Sequence, residues 1–411
     1  MVQIIPFKAV RPQRARAGLV ASRPYGEYNE DEMKARLEYN PYSFLHILNP
    51  GYKFKHTLNG TDKFQLIKNR YLEFKEEDTF IQDTSPCLYV YKIESRDLTC
   101  CGIIAAASAE DYKNGIIKKH EETIESREIL FKDYVKTIGF NTEPVLLTYE
   151  NTPEIQQFLN KIMQEIPEYE FATRQRETHF LWKVEKPENI QKIQQYFKNL
   201  NSIYIADGHH RCAASALLSE ENAQKNDLHT GKESYNHFLS YLIPEDDLKI
   251  YEFSRLITDL NGYSKEEFLM LLDEHFRIEN MHLQLHIPSE KHHFSMYLDG
   301  EFYYLWLRKT SSNFDNCLSE LDSQILFERI LEPILGIHDL RNDKRINYIP
   351  GKRDILQLKA LIDSGEFAVG FGMKPISITE IKKIADQNFA MPPKSTYIEP
   401  KLRSGLTIYE F

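Results

Sequence analysis

Cysteine, membrane-length apolar runs and surplus positive charge are all scarce in this chain of 411 residues. Its five cysteines, Cys87, Cys100, Cys101, Cys212 and Cys317, form no C-x-x-C pair and are odd in number. That excludes a disulfide framework and fits reduced thiols in a cytosolic protein. No apolar run approaches the ~18 residues of a membrane helix; the longest candidate is CGIIAAASA at 101–109, so no membrane association is expected. The N-terminal MVQIIPFKAVRPQRARAGLV has no long apolar core, so no secretory signal is expected and MVQIIPF reads as a first strand. A formal charge of −10 argues against a general nucleic-acid binder, which needs a basic face, but leaves room for a small basic pocket. The chain also lacks a GxxxxGK[ST] loop, a kinase-type GxGxxG, an HExxH and any internal repeat.

What is present is ample core-forming material: 42% hydrophobic residues, with 24 Tyr and 24 Phe. The length predicts two domains, which we place at 1–245 and 246–411, with the boundary near 245–260. Short β-favouring runs (Val2 to Phe7, Cys87 to Lys92, Ile103 to Ala107, Val145 to Thr148, HFLSYLIP at 237–244) alternate with helical patterns. The helices are expected at Glu30 to Glu38, Ile116 to Ile138, 155–166, after Pro187, and from Leu318 to Leu331 before Pro333. Ser264 and Glu267 form a capping box for a helix running to about Phe276, and Asp299-Gly300 joins a hairpin at 292–307. The fold class is therefore mixed α/β, of the α+β kind.

The stretch IYIADGHHRCAASALL, 203–218, carries the most chemistry. An apolar strand from Ser202 to Ala206 ends in Asp207-Gly208, and an alanine-rich helix follows to about Ser219, before a polar loop from Glu220 to Glu233. Helix N-termini offer unpaired N–H groups to anions, and glycine lets the backbone come close. His209, His210 and Arg211 add donors there, and Asp207 stands ready to bind Mg²⁺ or take a proton from a hydroxyl. An acid beside a cationic anion nest is what phosphoryl transfer requires. A purely structural reading stays open, in which Asp207 is a helix N-cap and Gly208 a turn residue. A zinc site is the other chemical reading, though adjacent histidines point in different directions. Cys212 is the one thiol near this turn.

Two further segments carry organised charge. KKHEETIESRE at 118–128 presents His120 and Glu121 with Thr123 at the start of a helical run. In the C-terminal half, HDLRNDKRINYIPGKRD at 338–354 supplies Lys344 and Arg345, and MPPKSTYIEPKLRSG at 391–405 supplies Lys394, Ser395, Thr396, Lys401 and Arg403 among three prolines. The last segment reads either as a wrapped terminus or as a phosphate-gripping loop.

Read together, PFKAVRP, NPYSFLHI, KHEET, IADGHHR, NDKRINYIPG and MPPKSTYIEPK resemble the domain of unknown function 1015 family over nearly the whole chain. The DGHHR turn is also similar to that of ParB/sulfiredoxin-like folds, which include free-serine kinases. The resemblance implies ParB/sulfiredoxin-like core elements and a cytoplasmic kinase that phosphorylates the hydroxyl of free L-serine to O-phosphoserine. It implies pyrophosphate as donor, or ATP or ADP as in related archaeal enzymes, with Mg²⁺ as cofactor. Carried over, Asp207 would activate the hydroxyl or hold Mg²⁺, with His209 and Glu121 as catalytic partners. His210, Arg211, His120, Lys344, Arg345, Lys394, Ser395, Thr396 and Lys401 would grip phosphate. Where family members carry Pro-Pro-Tyr-Asp, this chain has Arg23-Pro24-Tyr25-Gly26, so no catalytic acid is expected there. A phosphoserine phosphatase using the same residues and a ParB-like nucleotide-binding module remain the alternatives.

Overall fold

A computed structural model describes residues 1–56, 60–351 and 355–411. The chain divides into two compact units. The first comprises Met1–Lys119, Thr123–Leu248 and Pro400–Phe411, and the second His120–Glu122 and Lys249–Glu399.

The first unit is built on a nine-stranded mixed sheet. Its strands run in the order Ile117–Lys118, Ile203–Asp207, Val145–Tyr149, His237–Pro244, Thr99–Ser108, Leu88–Glu94, Thr178–Val184 and Tyr169–Ala172, with Ile4–Ile5 also pairing to Thr99–Ser108. Ile203–Asp207 pairs parallel to Ile117–Lys118 and antiparallel to Val145–Tyr149. The sheet is covered by amphipathic helices at Pro153–Ile162 and Pro187–Lys198, whose Ile155, Leu159, Ile193 and Phe197 join Leu147, Ile203 and Ile205 in one core. Burial of such side chains contributes roughly 1.5–3 kcal/mol each relative to exposure.

The second unit carries a six-stranded antiparallel sheet in the order Phe276–His282, Glu301–Leu307, His293–Leu298, Val369–Met373, Phe253–Ile257 and Ile346–Pro350. The hairpin turns at Asp299-Gly300, both with positive φ (50° and 81°), as a two-residue connection requires. The Ser264–Glu267 capping box is present and opens the helix Lys265–Asp273, which ends before Phe276 starts the edge strand. Asp322 lies buried here, and burial lifts its carboxyl to about 7 against the hydrogen bond from the His292 N–H.

Three sequence expectations need correction. Residues 116–138 are not one helix: Ile117–Lys118 is a strand, and the helix spans only Glu125–Ile138. Pairing with Ile203 buries Ile117, and that tertiary contact outweighs helical periodicity. The helix after the DGHHR turn runs into the first part of the expected loop, to Lys225, and Glu221 is held by Lys225, Lys132 and Lys136. Residues 318–331 hold only a short helix, Asp322–Leu326, followed by a π-helical turn, Phe327–Leu331. Of the basic segment 338–354, Lys352, Arg353 and Asp354 lie outside the described residues.

The C-terminal residues form a strap on the first unit. Ser404 and Ser22 exchange backbone hydrogen bonds (2.8 and 3.2 Å), Ile408 bridges to Val10, and Tyr409–Glu410 pairs with Phe140–Asn141. Gly405 makes this path possible: its φ is +84°, and a Cβ there would sit 2.7 Å from the Phe44 ring. Gly405→Ala is therefore expected to cost roughly 1–3 kcal/mol. Urea denaturation should show a lower midpoint with an unchanged slope.

Candidate active site

The strand Ile203–Asp207 is apolar until its last residue, and its register slips between Ile205 and Asp207, which pair with Leu147 and Leu146. Such a bulge adds one residue and re-aims the side chain that follows. Gly208 then adopts φ +99°, ψ 31°, and the helix His209–Lys225 starts at once. A Cβ at Gly208 would stand 3.0 Å from the Arg211 guanidinium, which folds back over the turn. Asp207 does not cap the helix: Gly208 is the N-cap residue and no side chain caps it. The N-cap reading of Asp207 is thereby removed, and its carboxylate is left for other partners.

Those partners are cations. Arg211 Nη2 donates to Asp207 Oδ2 at 2.7 Å, and Lys401 Nζ donates to Oδ1 at 3.0 Å. Arg211 also donates to the Pro144 carbonyl at 2.5 Å and faces Glu143 at 3.7 Å. Glu143 in turn accepts from the Ser404 hydroxyl at 2.9 Å, so the strap touches the turn through both Lys401 and Ser404. Burial pushes the Asp207 carboxyl up, but Lys401 and then Arg211 outweigh it, and the net pKa is lowered. The group is ionised at neutral pH. Its side chain still keeps 37% of its surface open, so a ligand can reach it.

His209 is buried beside Asp207, and desolvation brings its imidazole down to about 4 against the pull of that carboxylate. The expected cation is thus a neutral ring at physiological pH. His210 stacks on Phe131, with ring centroids 6.3 Å apart. Phe131 and Arg211 both line a cavity of about 480 Å³, walled otherwise by Phe64, Tyr134, Phe238 and Leu239. Cys212 is fully buried with its thiol pushed well above the ordinary value, which makes it a packing residue and no nucleophile.

The first unit thus brings Asp207, His209, His210, Arg211 and Lys401 together. The other expected residues belong to the second unit. His120 is fully buried, its carbonyl accepting from the Met391 N–H at 2.9 Å, and Glu121 follows it in a loop. Lys344 is exposed in a turn. Arg345 is spent on its own loop, donating to the carbonyls of Leu335 and Gly336 (3.0 and 2.9 Å) and pairing with Asp343. Lys394 has a left-handed backbone (φ 58°) and sits over the Phe253 ring at 5.3 Å. The Ser395 hydroxyl closes its own turn on the Pro392 carbonyl at 2.7 Å, and Thr396 is half-buried beside it. Glu143 and Ser404 were not foreseen: Glu143 stands in no distinctive motif, Ser404 was passed over within the 391–405 segment, and only the fold joins Ser404 to Glu143 and Glu143 to Arg211.

A mixed α/β unit whose strand-to-helix turn presents a cation-flanked carboxylate defines the class. The chain belongs to the DUF1015 family, described as proteins of unknown function, whose family model matches residues 4–324. No curated protein matches the chain. Among solved structures it is similar to a free serine kinase in complex with AMP (13% identity, 74% of this chain and 91% of that one, TM-score 0.36). It is also similar to SbnI with a C-terminal truncation from Staphylococcus aureus (12%, 74% and 87%, 0.39) and to a conserved hypothetical protein from Pyrococcus furiosus (13%, 74% and 94%, 0.36). These values carry no assignment of activity. Among the described residues, no helix is long and apolar enough to cross a membrane.

The lowered pKa values set a pH expectation. His46, His179, His209, His237 and His292 are all held below the usual imidazole value, chiefly by burial. Each binds its proton more readily in the unfolded chain, so stability falls as pH drops below ~6.5. For His209 the loss runs down to about 4. The unfolding free energy measured from pH 7.5 to 4.5 should decline, and His209→Asn should flatten the slope.

Proposed function

We propose that this protein is a phosphotransferase that moves a phosphoryl group to the hydroxyl of free L-serine, with pyrophosphate as donor. The observation that carries the reading is the Asp207 carboxylate, ionised and open to ligand, with Lys401 and Arg211 on its two oxygens. A hydroxyl hydrogen-bonded to that carboxylate would be held for attack, and the two cations are suited to the charge that spreads over a transferred phosphoryl group. In the reaction the serine oxygen bonds to phosphorus and the bridging P–O bond of pyrophosphate breaks. Phosphate leaves with the bond's electron pair, and the hydroxyl proton passes to Asp207 and on to solvent. Neutral His209 is suited to hydrogen-bond a phosphoryl oxygen or the serine amine without adding charge.

Magnesium fits this turn poorly as a ligand of Asp207. Both carboxylate oxygens are already in ion pairs, with Arg211 and Lys401. In this reading a magnesium ion is carried by the phosphates, and no step is assigned to it.

The cavity beside Arg211 favours a second donor. Aromatic walls and a volume of about 480 Å³ suit the base and ribose of ADP or ATP, with the phosphates directed to Arg211. The experiment separates these cases. The protein is incubated with L-serine, Mg²⁺ and, in separate tubes, pyrophosphate, ADP and ATP, and O-phosphoserine is measured. Product with pyrophosphate alone is expected. Product with a nucleotide alone selects the second donor, phosphate release from O-phosphoserine selects a phosphatase, and no turnover in any tube rejects catalysis on serine. Asp207→Asn should reduce kcat/KM at least 100-fold, and full activity in that variant contradicts the assignment.

A further inference from the structure

The cavity of about 480 Å³ in the first unit holds one cation that no carboxylate neutralises. Its walls are mainly apolar, with Phe64, Ile67, Tyr134, Val135, Phe238 and Leu239 among them. Tyr25, Leu130 and Phe131 line it while remaining exposed, so the apolar surface continues out to solvent.

Three charged side chains line this cavity, and two of them are already taken. Arg211 is held by Asp207 at 2.7 Å and faces Glu143 at 3.7 Å, and Glu143 accepts from the Ser404 hydroxyl at 2.9 Å. The uncharged polar groups are largely used as well: the Ser215 hydroxyl donates to the Arg211 carbonyl, and Asn141 Oδ1 accepts from the Leu239 N–H, both at 2.9 Å. Lys63 is the third charge. It stands in the first turn of the helix Thr61–Glu76, whose start no side chain caps. It is half-buried, its ammonium lies over the Tyr25 ring at 5.6 Å, and it forms no ion pair among the described residues. Burial lowers the ammonium below its ordinary value, and no carboxylate offsets that. Asp62, next to it in sequence, is exposed and does not line the cavity. A desolvated ammonium without a counter-charge costs free energy, and the positive end of the helix adds to the cost. A bound carboxylate removes both costs, whereas a neutral ligand leaves them.

We propose that this cavity is a binding site for an apolar monocarboxylate, its carboxylate on Lys63 and its body against the aromatic and aliphatic walls. One negative charge matches the one uncompensated cation. A nucleoside diphosphate would bring several charges against that single lysine, since Arg211 is already balanced by Asp207 and Glu143. A medium-chain acyl group and an arylalkyl acid share the required chemistry. With pyrophosphate as donor, no part of the phosphoryl transfer occupies this space, and its occupancy does not require the kinase reading. Arg211 belongs to both the cavity wall and the Asp207 turn, so an occupant lies beside the guanidinium that holds Asp207.

The test is titration calorimetry on the full chain at pH 7.5 with octanoate, octan-1-ol and 3-phenylpropanoate in separate runs, followed by ADP competition against octanoate. The wild type is compared with Lys63→Met, which keeps an apolar stem and removes the charge, and with Val135→Trp, which fills the cavity from its half-buried wall. Thermal unfolding checks that each variant folds, and Lys63→Met alone decides the matter if Val135→Trp does not. The proposal expects octanoate to bind the wild type more tightly than octan-1-ol. Lys63→Met should weaken octanoate at least tenfold and leave octan-1-ol within about twofold, and Val135→Trp should weaken both. Tighter octanoate names the acyl source, and tighter 3-phenylpropanoate the aryl one. Equal affinity for octanoate and octan-1-ol in the wild type, unchanged octanoate affinity in Lys63→Met, or no octanoate or 3-phenylpropanoate binding at millimolar concentration overturns it. Displacement of octanoate by ADP gives the cavity to a nucleotide and overturns it too. Failure of serine phosphorylation with the octanoate pattern intact would count against the proposed function alone.

Discussion

The Asp207 carboxylate, held between Lys401 and Arg211, is the contact on which the rest of the candidate site depends. Arg211 reaches it because Gly208 has no Cβ and a left-handed backbone, which lets the guanidinium fold over the turn. Lys401 reaches it because the strap is fastened on its far side by Ser404, Ile408 and Tyr409. Removing either cation leaves a partly buried carboxylate with one partner and takes away one of the two charges that lower its pKa. Partly exposed pairs such as these are worth little as stability, on the order of 0–1 kcal/mol each. Their persistence at a bulged strand end is better explained by the charge pattern they create.

Much of this was legible in the residue order. The Ile203–Asp207 strand, the helix after it and the turn between them follow from an apolar β-favouring run, Asp-Gly and an alanine-rich segment, with no tertiary information needed. The 292–307 hairpin and the Ser264 capping box follow equally from local turn and cap chemistry. What the residue order hides is set by distant contacts. Ile117 pairs with a strand 86 positions on, so the helical pattern around it misleads. His209 reads as a cation until burial removes its charge, and Arg345 reads as a phosphate ligand until the carbonyls of Leu335 and Gly336 claim it.

The strap explains why one short segment carries so many of the cations. Residues 400–411 fold with the first unit although the chain between 249 and 399 forms the second. A terminal segment pinned at several points can hold a lysine and an arginine two residues apart in fixed places, where a free tail would have to be ordered at each binding event. Pro400 and the left-handed Gly405 restrict the path further. Of the two readings of the 391–405 segment, the wrapped terminus holds for residues 400–411, which bring Lys401 to Asp207.

The account's central claim is that the Asp207–Lys401 pair exists to handle a ligand and is not a clasp for the terminus. A double-mutant cycle with Asp207→Asn and Lys401→Met, read both by urea unfolding and by O-phosphoserine formation, separates the two directly. The account predicts a stability coupling below about 1 kcal/mol, with each single variant losing most of its turnover. A coupling of about 3 kcal/mol or more, with turnover kept in the double variant, would make the pair structural and contradict the claim.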